Sequence, residues 1–159
     1  MKTFFFTCCF IISIAIKAQN FSIQSRDGST MVSVNIDENI NFSVKKFNKT
    51  VIEKGLINLN FNGKNLADNV KVIANKIVDI DEVLTAIIPQ KNKIIQNSYR
   101  ELQLKFKGHF EVHFRVYNEG IAYRFITNKK DDVEVFSEQM QITFPEKTTS
   151  YFPKEDKIQ

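Results

Sequence analysis

The chain has 159 residues, a formal net charge of +4, 12% aromatic residues, two cysteines and no tryptophan. That length suits one domain with a core of ordinary size. The alkaline balance argues for no nucleic-acid partner, because the lysines are scattered among acids rather than gathered on one element.

Met1-Lys2 is a short basic start, Phe4 to Ile16 is an apolar run, and Ala18-Gln19 closes it. A run of this length is too short to span a bilayer and fits a secretory signal. Residues 1–19 are therefore read as a signal peptide and 20–159 as the domain, with a periplasmic or secreted product and cleavage near Ala18 or Gln19. Lys17 lies unusually close to the cut, and a buried N-terminal strand is the competing reading. Cys8 and Cys9 sit early in the apolar run, so lipidation is not expected there. The mature chain then lacks any disulfide framework or thiolate metal site. It keeps 140 residues, eleven of the fifteen phenylalanines and a balance of 20 basic against 18 acidic residues. A mixed-charge, solvated surface follows.

From Phe21 the pattern is strand after strand. Phe21 and Ile23 precede a turn at Arg26-Asp27-Gly28; Val32, Val34 and Ile36 alternate up to Asp37-Glu38-Asn39; Ile40, Phe42 and Val44 alternate up to Asn48-Lys49. Such alternation marks half-buried strands, because successive side chains point to opposite faces. Leu59 and Phe61 precede Asn62-Gly63, a hairpin dipeptide. Residues 70–73 and 76–80 read as two strands, and Asp81 to Ile88 reads as a helical turn stopped by Pro89.

The clearest stretch is 101–127. Leu102, Leu104 and Phe106 share one face, and so do Phe110, Val112, Phe114 and Val116. Gly108-His109 and Asn118-Glu119-Gly120 separate three strands, expected at 101–107, 110–117 and 121–127, and are expected to supply positive-φ turn residues. Beyond the charged turn 128–132, strands are expected at 133–136 and 140–144. The fold class is all-β, an antiparallel β-sandwich in one domain with no long helix and no membrane span.

Candidate chemistry is sparse. His109 and His113 have the spacing of a helical zinc pair, but on a strand they stand roughly 13 Å apart and belong to a solvated face. Glu101 and Glu111 could face each other across a hairpin as a glycosidase carboxylate pair, but their lysine-flanked polar positions fit surface charge better. Asp131-Asp132 and Asp79 with Asp81 lack the spaced oxygen donors of a calcium loop. Arg115 and Arg124 point away from Phe114 and Phe125 and are expected to pair with acids. Tyr99, Tyr117, Tyr123 and Tyr151 are the available sugar-stacking groups, with Tyr117 and Tyr123 equally placed as core-edge residues. No phosphate loop or nucleophile elbow is present.

The segment from Asn97 to Leu102, followed by Phe114 to Phe125, resembles the N-terminal domain of glycoside hydrolase family 97, bacterial α-glucosidases and α-galactosidases. Asn97, Tyr99, Glu101, Leu102, Phe114, Arg115, Tyr117, Gly120, Ala122, Tyr123 and Arg124 match the family pattern, while Ser98, Arg100 and Glu119 depart from it. Asp81-Glu82 matches an acidic pair that in the family precedes a tryptophan-bearing loop, which this chain lacks. The resemblance runs more weakly from Ser25-Arg26-Asp27-Gly28 to Tyr151-Phe152-Pro153.

The resemblance implies a β-super-sandwich, galactose-mutarotase-like, that packs on a catalytic (β/α)8 barrel. The barrel carries the catalytic residues, and calcium belongs to the parent family's active site, with no cofactor expected in this segment. The expectation is an accessory domain, inactive alone, in a truncated product, split gene or partial reading frame. Its partners are the barrel and, as a second candidate, carbohydrate. Tyr151, Phe152 and Pro153 are the candidate domain-interface residues; catalytic and metal residues are assigned to none. The alternative is a free-standing secreted β-sandwich used for binding or adhesion.

Overall fold

The computed structural model describes residues 18–68, 70–88, 91–127, 129–130, 132–149 and 151. Among them there is no helix, and so none long and apolar enough to cross a membrane. One sheet contains β1 (Gln19–Gln24), β2 (Thr30–Ile36), β3 (Ile40–Lys46), β4 (Lys49–Phe61) and β10 (Val135–Thr143) in that order, with the short β5 (Lys64–Asn65) paired to β4. The second contains β6 (Val72–Thr85), β7 (Ile94–Phe106), β8 (Phe110–Val116) and β9 (Ile121–Thr127) in chain order. Every pairing in both sheets is antiparallel.

The core forms where the alternation predicts. Val32, Val34, Ile36, Ile40, Phe42, Val44 and Ile57 come from the first sheet, and Leu102, Leu104, Phe106, Phe110, Val112, Phe114 and Val116 from the second. Phe42 and Phe114 meet across the sandwich with ring centroids 5.8 Å apart, and Phe106 stacks on Phe110 at 4.7 Å. Burial of this apolar surface is the main force holding the sheets together.

Three expectations need correction. Residues 81–85 are strand, not a helical turn. β6 is one strand in register with β7 from Ala74 opposite Lys105 to Thr85 opposite Ile94, and that ladder overrides a weak local helical pattern. The strands expected at 133–136 and 140–144 are likewise one, β10, bound along β4 with a register shift between Val135 and Ser137. Gly120 does not take the positive φ expected of it; the β8–β9 turn is closed by the Tyr117 N–H donating to the Gly120 carbonyl at 2.9 Å. In the β7–β8 turn Gly108 (φ 121°) and His109 (φ 65°) do adopt it.

The sheets are offset. β1, an edge of the first, lies against β7, the second strand of the other, so β6 extends beyond it. Gln19 stitches that edge: its side chain donates to the Val72 carbonyl at 3.1 Å and accepts from the Val72 N–H at 2.8 Å. Ile77 stands beside buried Leu102, and Met140 beside buried Ile57, yet both are exposed because the opposing sheet stops short of them. At the second edge Tyr123 donates to Glu138 at 2.6 Å; burial first, and that hydrogen bond next, push its phenol above the usual range.

The turn after β1 is locked by local hydrogen bonds. Asp27 accepts from the Ser25 hydroxyl at 2.6 Å and the Ser29 N–H at 2.9 Å, which hold its carboxyl down at about 2. Lys46 ties this turn to the β8–β9 turn, donating to the Ser29 hydroxyl at 2.7 Å and to the Asn118 carbonyl.

Candidate functional site

The titratable cluster lies on the face of β7, β8 and β9 that points away from the core. Register places Glu101 opposite Arg115, Gln103 opposite His113, and His113 opposite Arg124. One Glu101 oxygen accepts from Arg115 Nε at 2.6 Å and has Arg124 Nη2 at 3.5 Å; the other accepts from Gln103 at 2.7 Å and meets His113 Nδ1 at 3.0 Å. His113 Nε2 faces Glu111 at 3.0 Å. The Arg115 guanidinium lies 4.6 Å over the Tyr99 ring, which packs on Tyr117 at 5.1 Å.

Glu101 is only 4% exposed and His113 5%, so neither belongs to the solvated face expected of them. Arg115, stacked over Tyr99, and Arg124 stand against Glu101 on this face, and among the described residues no strand packs over it. His109 sits exposed in the turn rather than on a strand, so the two histidines share no element. The expected acid partner of Arg115 and Arg124 is Glu101.

This arrangement holds the fold rather than splitting a bond. Burial pulls the Glu101 carboxyl up, but hydrogen bonds from Gln103 and Arg115, with the adjacent arginine charge, outweigh it and hold the group below its ordinary value. A general acid for glycoside cleavage needs the opposite shift and a free face towards substrate. Both Glu101 oxygens are occupied, and His113 stands between Glu101 and Glu111 where a scissile bond would have to lie.

Asp79 and Asp81 both pair with Arg26, at 3.0 and 2.6 Å. Among the described residues no group of three or more His, Cys, Asp or Glu side chains is arranged to hold a metal ion; in the Glu101–His113–Glu111 set the imidazole nitrogens are taken up by the two carboxylates. Asp131, Phe152 and Pro153 lie outside the described residues; Tyr151 is 94% exposed. Tyr123 packs against the core, as a core-edge residue does. A larger apolar surface escaped the sequence reading: Val83, Leu84, Ile87, Ile88, Ile94 and Ile95 are exposed where β6 and β7 run on beyond the end of β8 as a two-stranded ribbon. Two near-mirror runs, one before Pro89 and one after Lys93, were the signal for it.

Comparison with known proteins agrees with this architecture. The chain is 27% identical over 154 residues to a retaining alpha-galactosidase of Bacteroides thetaiotaomicron, matching 96% of this chain but 23% of that enzyme. Its fold matches a beta-arabinopyranosidase (TM-score 0.69, 24% identity, 80% of this chain and 22% of the other). It also matches a Glycoside Hydrolase Family 97 enzyme of Pseudoalteromonas sp. strain K8 in complex with acarbose (TM-score 0.69, 16% identity, 79% and 20%). The chain thus spans about a quarter of the length of these relatives. The family profile described as Glycosyl-hydrolase 97 N-terminal matches residues 23–159, and the chain belongs to that family.

Proposed function

We propose that the chain acts as the accessory, non-catalytic partner of a catalytic (β/α)8 barrel in an exported enzyme that cleaves glycosides, with α-galactosides the first substrates to test. The observation that carries this reading is the match of residues 23–159 to an N-terminal domain family, over about a quarter of an alpha-galactosidase. The cluster chemistry supports it, since the one buried carboxylate of the second sheet is held ionised and fully paired. The barrel would cover the apolar ribbon end of β6 and β7, with Tyr151 as a further contact. Calcium, in this reading, belongs to the barrel. Export rests on the basic start and the apolar run that ends at Ile16, and of the two expected cleavage points only the one after Ala18 would keep Gln19 in β1.

The test is an assay of the purified chain on chromogenic α-galactoside and α-glucoside, with and without calcium. No turnover is expected. Adding a separately produced barrel from a family relative should yield a stable complex that buries the ribbon end. Calcium-dependent turnover by the chain alone would overturn the reading, and failure to bind any such barrel would favour a free-standing binding module.

A further inference from the structure

The outer face of the first sheet carries a second feature, remote from the Glu101 cluster. Its alternate positions on β1, β2 and β3 form two rungs. Asn20 pairs in register with Asn35 and Asn35 with Asn41; Ser22 pairs with Ser33 and Ser33 with Ser43. Six neighbouring outward positions thus hold only asparagine and serine, in a chain where a quarter of all residues are charged. They line a groove of about 510 Å³. Its far side is made where β4 slips register between Gly55 and Ile52, which brings Glu53 and Lys54 to the rim.

The hydrogen bonding inside the groove is unfinished. Asn35 donates to Asn20 at 2.6 Å, and Asn41 donates to Asp37 at 3.1 Å. These bonds orient the amides but leave acceptor oxygens on Asn35 and Asn41 and a donor on Asn20. Asn41 is only 9% exposed, and its Oδ1 is buried with no partner in the protein. A buried polar atom left unpaired is costly, and native structures pair such atoms with water or a ligand.

We propose that this groove binds a neutral, polyhydroxylated ligand, a short oligosaccharide. Rows of amides and hydroxyls about 4.8 Å apart offer both donors and acceptors to successive ring hydroxyls. Asp37 and Glu53 outnumber Lys54 in the lining and disfavour a phosphate or sulfate, while Phe21, Val34 and Phe42, which also line the groove, offer apolar surface to the C–H face of a sugar ring beside the amide and hydroxyl rungs. The volume is that of a small-ligand site. Small amides and hydroxyls make up most of the polar lining, so affinity is weak, with a dissociation constant on the order of millimolar. The function proposed above guides only the choice of sugars; the groove itself rests on its own geometry.

The test is an NMR titration of the full chain, labelled with nitrogen-15, using maltotriose, raffinose and inorganic phosphate. Saturable shifts of the Asn20, Asn35 and Asn41 side-chain amides with a sugar, and none with phosphate, are expected. Asn35→Ala should weaken binding by about tenfold or more. Ser33→Arg, which fills the groove from a half-buried outer position, should abolish it while the amide spectrum keeps its β-sheet dispersion. No saturable shift with either sugar up to about 50 mM, shifts confined to other surfaces, or unchanged binding in folded Ser33→Arg would each overturn the proposal. Because no barrel and no turnover enter this experiment, its failure leaves the accessory-domain reading intact, and the converse also holds.

Discussion

Gly55 gives a prediction whose sign separates backbone preference from packing. In a strand interior glycine is weaker than alanine by about 0.5–1 kcal/mol, so on backbone grounds alone Gly55→Ala should stabilise the domain. Its φ is not in the left-handed region, so alanine meets no backbone strain there. The obstacle is Phe42, its register partner on β3: a Cβ at Gly55 would lie 2.2 Å from both Cε1 and Cζ of that ring. Phe42 is buried and packed on Phe114, so the ring cannot swing aside without displacing the core. Overpacking of this kind costs about 1–3 kcal/mol, which exceeds the backbone gain. Net destabilisation of about 1–2 kcal/mol is expected, lowering Tm by several degrees for a domain of this size. Urea unfolding followed by far-ultraviolet circular dichroism suits a chain without tryptophan. The control is Phe42→Ala, which alone should cost about 3–5 kcal/mol. In that background Gly55→Ala should become neutral or stabilising, a coupling of about 1–3 kcal/mol. If Gly55→Ala stabilises the unaltered chain, or costs the same with and without the Phe42 ring, the packing argument fails.

Two further substitutions probe the second sheet. Phe114→Ala removes a ring with no exposed surface that packs against Phe42 and Tyr123, and should cost about 3–5 kcal/mol in the same assay; a loss under about 1 kcal/mol would show that the face is misassigned. Glu101→Gln leaves Arg115 and Arg124 without their carboxylate; because both arginines keep access to water, the cost near neutral pH should be about 1–3 kcal/mol. Because the Glu101 carboxyl is lowered on folding, its contribution is whole above the ordinary value of 4.5 and is lost as pH falls through the lower folded value. Stability of the Glu101→Gln variant should therefore fall less steeply on acidification than that of the parent, and parallel acid limbs would refute the pairing.

The meander of β7, β8 and β9 was legible because two local signals agree: apolar residues every second position, and turn residues between the runs. β6 was not, because Val83 to Ile88 is apolar in a way that suits helix and strand alike. Only its ladder with β7, whose partner residues lie up to 34 positions away at Val72 and Phe106, decides the matter. Burial of Glu101 and His113 was hidden for a different reason. Alternation tells which face a residue takes, not whether that face is covered, and here the cover comes from the side chains of the face itself. The Asn and Ser rungs were in plain view as residues. Their alignment depends on two hairpin turns of fixed length, and attention to the apolar alternates passed over the polar ones between them.

The two proposed surfaces lie at different ends of the sandwich, and this bears on how they could act together. Gln19 is bonded to Val72 where β6 begins, so the Asn20 end of the groove lies near the start of that strand. Arg26, at the other end of β1, reaches Asp79 and Asp81 midway along β6. The ribbon end at Thr85 and Ile94 lies further on again, past the last pairing of β7 with β8 at Arg100. One exposed aromatic such as Tyr151 is ordinary on a protein surface. Six large aliphatic side chains gathered on a projecting ribbon are not, and such patches mark association surfaces. A barrel held at the ribbon end would therefore stand at the far end of the molecule from the Asn20–Asn35–Asn41 rung and leave it open. Repeating the sugar titration on the barrel complex should give the same Asn35 shifts as the free chain, and loss of those shifts on complex formation would place the barrel over the groove instead.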